Sequence, residues 1–123
     1  MLILKLIQVV RFGKKNMEKH FTDANFDADV IEASKAKPVL VDFYADWCAP
    51  CKMQGPIVED VAKELGEEAI VGKLNTEEAM QTAAKFGIMS IPTLLVFRDG
   101  KIVEQFVGVQ PKDGLIETLK KHK

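Results

Sequence analysis

Cysteine is scarce in this chain of 123 residues: there are two, Cys48 and Cys51, and the only two histidines, His20 and His122, lie near its ends. A structural metal usually takes about four Cys or His ligands, and no second pair stands near the first. A disulfide scaffold is equally excluded, because one bridge across so short a loop braces little of a fold. Charge of one sign is lacking too. Seventeen Lys and Arg against eighteen Asp and Glu leave a net charge of −1, so no broad basic field is available for nucleic acid. Nor is there a long hydrophobic run. Met1 to Val10 is apolar but broken by Lys5 and Gln8, short of the roughly 20 residues that cross a bilayer, so no stable membrane insertion is expected.

What is present fits one α/β domain. Apolar residues make up 47% and charged residues 28%, enough to build a core without staples. Residues 1–16 carry Lys5, Arg11, Lys14 and Lys15 and no acid. They also make a poor secretory leader, since no basic segment precedes the apolar run and no small-x-small cleavage site follows it. We expect residues 1–16 to be an extension outside the core and residues 17–123 to form the domain.

Hydrophobic periodicity orders the elements. Thr22 to Ser34 reads as a helix capped by Thr22 or Asp23, with a short strand possible at Lys19–Phe21. Val39 to Tyr44 is a near-continuous apolar run, the mark of a central strand covered on both faces. A helix is expected from Ala49 to Gly66, with Pro56 inside it. Ala69 to Leu74 reads as a strand, and Asn75 with Glu78 as the capping box of another helix. Thr93 to Arg98 and Lys101 to Val107 read as a hairpin joined by Asp99-Gly100, before a last helix from about Pro111. The simplest packing is a three-layer sandwich: a central mixed sheet, with a parallel core and an antiparallel C-terminal hairpin, and helices on both faces.

The chemistry sits where the first central strand hands over to a helix. Cys48 would precede the first helical turn, where unpaired N–H groups favour a thiolate over a thiol. Cys51, one turn on, is placed to attack whatever disulfide Cys48 forms. Pro50 suits a first turn that needs no N–H there. C-x-x-C in this setting reads as a redox pair exchanging disulfides. Asp42 is an acid inside a doubly covered strand, so its pKa should rise, making it a candidate proton acceptor for Cys51; the alternative is a strand-edge acid simply solvated. Lys73 is its candidate partner if the two strands are neighbours, with snorkelling to solvent an equal alternative. Trp47 is either core or an aromatic platform at the site. Pro92 opens a strand; its peptide bond is trans by default, and a cis bond would leave the backbone of Ile91 open to an extended peptide.

These motifs, in this order and spacing, resemble the thioredoxin family over residues 17–123. They are Val41-Asp42-Phe43, Trp47-Cys48-Ala49-Pro50-Cys51, Lys52-Met53 with Pro56 after it, Gly72-Lys73-Leu74-Asn75, Phe86-Gly87-Ile88, Ile91-Pro92-Thr93, Phe97-x-x-Gly100 and Val107-Gly108. The resemblance implies a thioredoxin-like fold in which Cys48 attacks, Cys51 resolves, Asp42 relays the proton and Lys73 partners it. It makes Pro92 a cis proline facing the dithiol, with Trp47, Ile91 and Gly108 forming the apolar docking surface and Ala49 and Pro50 within the reactive loop. It further implies a cytoplasmic monomer that reduces disulfide-containing protein substrates. Its partner would be an NADPH-dependent thioredoxin reductase carrying the flavin, while this chain binds no cofactor beyond its own redox-active disulfide. Three departures stand out: Ala49 replaces the usual glycine, Tyr44 replaces a frequent second tryptophan, and residues 1–16 lie outside the pattern. The pair Ala49-Pro50 lacks the histidine of strongly oxidising relatives, which favours a reductant. Two rivals remain, an oxidant or isomerase outside the cytoplasm and a binding subunit that works through the surface around Trp47 and Ile91.

Overall fold

A computed structural model describes residues 18–123; the expected extension and Met17 lie outside the described residues. The strands are β1 (Lys19–Phe21), β2 (Val39–Tyr44), β3 (Ile70–Asn75), β4 (Thr93–Arg98) and β5 (Lys101–Val107). The α-helices are α1 (Ala49–Leu65), α2 (Met80–Lys85) and α3 (Lys112–Lys121). The five strands form one sheet in the order β1-β3-β2-β4-β5. β1, β3 and β2 run parallel, whereas β4 is antiparallel to β2 and β5 to β4. This is the mixed sheet expected of the thioredoxin-like sandwich.

Side chains alternate across the strands and so build two cores. Leu40, Val71, Leu94 and Val96 pack with Val58, Val61 and Leu65 of α1 and Leu115 and Leu119 of α3. On the other face Val39, Val41, Phe43, Leu95 and Phe97 pack with Phe26, Val30 and Ala79. There Phe26, Phe86 and Phe97 meet pairwise at centroid distances of 5.4–5.6 Å. β2 is thus buried on both faces, which is why its sequence is apolar without alternation.

Two helices begin later than their sequence signals. Thr22 and Asn25 bond reciprocally: Asn25 Oδ1 accepts from the Thr22 N–H and Thr22 Oγ1 from the Asn25 N–H, at 2.8 and 3.2 Å. This closes a separate turn, and the helical segment that follows is a π-helical stretch, Asp27–Glu32, ending in a 3₁₀ turn at Ala33–Lys35. Asp23 serves a distant helix instead, accepting from the N–H of Thr82 at 2.9 Å and from its hydroxyl at 2.6 Å. Asn75 does not cap α2 either. Its Oδ1 accepts from the Glu77 N–H, and its carbonyl accepts from the N–H groups of Glu78 and Ala79. That tight turn delays α2 to Met80, and Glu78 faces His20 at 3.9 Å rather than completing a capping box. α1 runs as one element through Pro56. The β4–β5 hairpin turns at Asp99 and Gly100, with φ of 56° and 79°, as a two-residue turn of this hand requires.

Candidate active site

β2 ends at Tyr44, and Ala45, Asp46 and Trp47 carry the chain to α1, whose N-cap is Cys48. The Cys48 sulfur itself caps the helix: it accepts from the backbone N–H of Cys51 at 3.2 Å. Cys48 and Cys51 form a disulfide, with Cα atoms 5.2 Å apart, and both are buried at about 5% exposure. In the reduced state a thiolate at Cys48 occupies the position that accepts this amide, at the positive end of a 17-residue helix. Both terms favour the anion. Pro50 lies in the first turn, where its missing N–H costs no bond. Ala49 is exposed there in helical backbone, so its methyl is accommodated.

Three segments surround the pair. Trp47 is 69% exposed, and its indole N–H donates to Glu77 Oε2 at 3.1 Å. The tryptophan is therefore a tethered surface ring, not core. The Ile91–Pro92 bond is cis, and the Ile91 carbonyl oxygen lies 3.8 Å from Cys48 Sγ. Gly108, at φ 94°, donates its N–H to the Pro92 carbonyl at 2.8 Å, which brings the Gly108 turn against the same loop. The structure thus gathers Trp47, Cys48, Ile91, Pro92 and Gly108 at one end of the sheet. Sequence reasoning missed Gln54, one turn behind Cys51 and fully buried. Its side chain accepts from the Gln110 N–H at 2.6 Å and donates to the Gln110 carbonyl at 3.1 Å, pinning the loop after Gly108 to α1. It also missed the exposed Met53, Met80 and Met89; an isolated methionine in a sequence carries no signal for exposure.

Behind the disulfide is a pocket of about 190 Å³ lined by Asp42, Asp46, Cys51, Lys52, Gly55 and Lys73, among others. Asp42 is 1% exposed, and its Oδ1 has no hydrogen-bond partner. Burial, then the negative charge of Glu18, push its pKa up to about 7 against the pull of Lys73. Lys73 is the register partner of Asp42 across β2 and β3, so the two strands are neighbours as the pairing required. Among the described residues, however, the ion pair of Lys73 is with Glu18 Oε1 at 3.9 Å. Its ammonium also lies 5.4 Å from the Tyr44 ring centroid. Glu18 was not legible as a site residue, because only the strand order brings it to Lys73. Among the described residues no group of three or more His, Cys, Asp or Glu could hold a metal.

A dithiol at a strand-to-helix junction, with a buried acid behind it and a cis proline beside it, defines a thiol–disulfide oxidoreductase. The thioredoxin family model matches residues 17–121, and curated thioredoxins align over 82% of the chain. Thioredoxin 1 of Synechococcus elongatus is 48% identical, with 92% of its length covered. The thioredoxins of Staphylococcus haemolyticus and Bacillus subtilis are 50% and 46% identical, each with 93% covered. The chain belongs to the thioredoxin family.

Proposed function

We propose that the protein reduces disulfides of other proteins through a mixed-disulfide intermediate, with Cys48 as nucleophile and Cys51 as resolving cysteine. The Cys48 thiolate attacks a target disulfide; one target sulfur leaves as a thiolate and the other stays bonded to Cys48. Cys51 then gives its proton to Asp42 and attacks Cys48. The Cys48–Cys51 bond forms and the second target sulfur departs, so two electrons have passed to the target. Lys73 adjusts the charge around Asp42. Trp47, Ile91, Pro92 and Gly108 supply the docking surface, with Ala49 and Pro50 presenting the nucleophile.

One observation carries this reading: Cys48 sulfur is the cap of α1, accepting the amide of Cys51, while Cys51 faces the pocket that holds Asp42. The reduced dithiol must be regenerated, and the family relationship supports an NADPH-dependent flavoprotein reductase as the donor. Use of both cysteines in the reactive pair suits a monomer working in the reducing cytoplasm. No helix among the described residues is long and apolar enough to cross a membrane. The test is reduction of a protein disulfide by the wild type, Cys48→Ser and Cys51→Ser, supplied with NADPH and a bacterial thioredoxin reductase. Turnover should vanish in both variants, and only Cys51→Ser should accumulate a covalent complex with its target. Turnover surviving in Cys48→Ser would refute the assignment.

A further inference from the structure

Glu18 stands one residue ahead of β1, whose Lys19, His20 and Phe21 pair with Gly72, Lys73 and Leu74 of β3. β2 pairs with the opposite edge of β3, placing Asp42 beside Lys73. β3 is therefore a bridge: its Lys73 lies between an acid arriving from β1 and an acid arriving from β2. The Glu18 side chain is only 11% exposed. Its Oε1 meets Lys73 Nζ at 3.9 Å, and its Oε2 is buried with no hydrogen-bond partner among the described residues. Asp42 Oδ1 is in the same condition. Among the described residues, these two buried carboxyl groups each have an orphaned oxygen and share the Lys73 ammonium between them, so they cannot both be well compensated as anions.

We propose that Glu18 is a positioning residue of the dithiol's proton site. By drawing the Lys73 ammonium towards itself and adding a second negative charge, it keeps the proton on Asp42 and sets the pH at which Asp42 can receive the proton of Cys51. The inference rests on the role given above to Asp42. Other charged groups facing the site are Asp46 beside β2, Lys52 on α1, and Glu59 on α1, whose charge acts on Glu18. The Lys73 ammonium favours both anions, and Glu59 opposes ionisation of Glu18. Burial also raises the pKa of Glu18, and the charge of Glu18 raises that of Asp42.

The direction of the effect is unambiguous. With Glu18 made neutral, the repulsion on Asp42 disappears and Lys73 is freed to approach it, and both changes ease the loss of the Asp42 proton. The experiment follows the Asp42 carboxyl carbon by NMR across pH in the full-length reduced protein, for wild type and Glu18→Gln. Rapid-mixing rates of mixed-disulfide resolution are measured alongside. The Asp42 midpoint should fall by about one pH unit in Glu18→Gln, and the acidic limb of the resolution rate should move with it. Lys73→Gln provides a second arm: the Asp42 midpoint should rise, and adding Glu18→Gln to it should bring the midpoint back down. An Asp42 midpoint unmoved in Glu18→Gln overturns the proposal. A midpoint that moves while the rate profile stays fixed, with Asp42→Asn resolving at the wild-type rate, supports the Glu18 coupling and instead removes Asp42 as acceptor.

Discussion

At the scale of single residues, the proposed function separates those that would hold electrons and protons from those that would meet the target. It puts Trp47 in the second kind. The tryptophan is largely in solvent, with its indole N–H held by Glu77, so little folding energy depends on it. Trp47→Ala should leave stability within about 0.5 kcal/mol of wild type. It should lower kcat/KM for protein disulfides roughly 3- to 10-fold, as loss of an exposed aromatic anchor does, and leave the rate with a small disulfide such as oxidised glutathione unchanged. Urea unfolding and steady-state assays on both substrates check this; equal losses on both would place the tryptophan in the chemistry. Cys48, Cys51 and Asp42 were legible in the sequence because their settings are local: a strand, a three-residue link and a first helical turn. Glu18 and Gln54 were not, because Lys73 and Gln110 reach them only through sheet order and through a loop 56 residues away.

At the scale of elements the same division holds. Strands β2 and β4 fall where their apolar runs begin and end, since each run is buried in the sheet, while β5, largely open to solvent, is placed by the Asp99-Gly100 turn. The starts of helices were less legible. The Asp23 carboxylate that caps α2 is 59 residues away from Thr82 in the chain, and Asn75 spends its side chain on a turn. β1 is the shortest strand, three residues at the sheet edge, and Gly72 sets how close it can lie. A methyl at Gly72 would sit 2.5 Å from the Phe21 ring and 2.8 Å from the Lys19 carbonyl oxygen. The ring can move, but the carbonyl belongs to β1 itself, so Gly72→Ala must push the strand away from β3. The expected cost is about 1–3 kcal/mol, read from urea unfolding. Amide exchange should accelerate first at Lys19–Phe21, before β2 and β4. Unchanged protection of β1 would mean that the close approach of the two strands is not tight.

For the molecule as a whole, stability against pH is shaped by acids pulled in opposite directions. Asp23, Glu68 and Glu104 have pKa values held down by hydrogen bonds from Thr82, Lys123 and His122 respectively. Their contribution is present above the unfolded values and lost as pH falls through the folded ones. All three lie at the surface, where such terms are small. Asp42 acts in reverse and more strongly. Its pKa rises from 3.8 unfolded to about 7 folded, so between those values the folded protein retains a proton that the unfolded chain has released. Stability therefore declines as pH climbs from about 4 to 7, and the full penalty, roughly three pKa units or on the order of 4 kcal/mol, persists above. Glu18, also raised, pulls the same way. The maximum should be drawn down towards about pH 4, below the usual range. Asp42→Asn removes the penalty and keeps the shape: its stability should approach wild type at about pH 4 and exceed it by a margin that widens from there to neutrality and is constant above. Urea midpoints of the oxidised proteins at pH 4.5, 6 and 8 decide it. Parallel curves would mean that Asp42 is solvated in the folded state, and a carboxyl in water near its ordinary pKa would be a poor proton acceptor for Cys51.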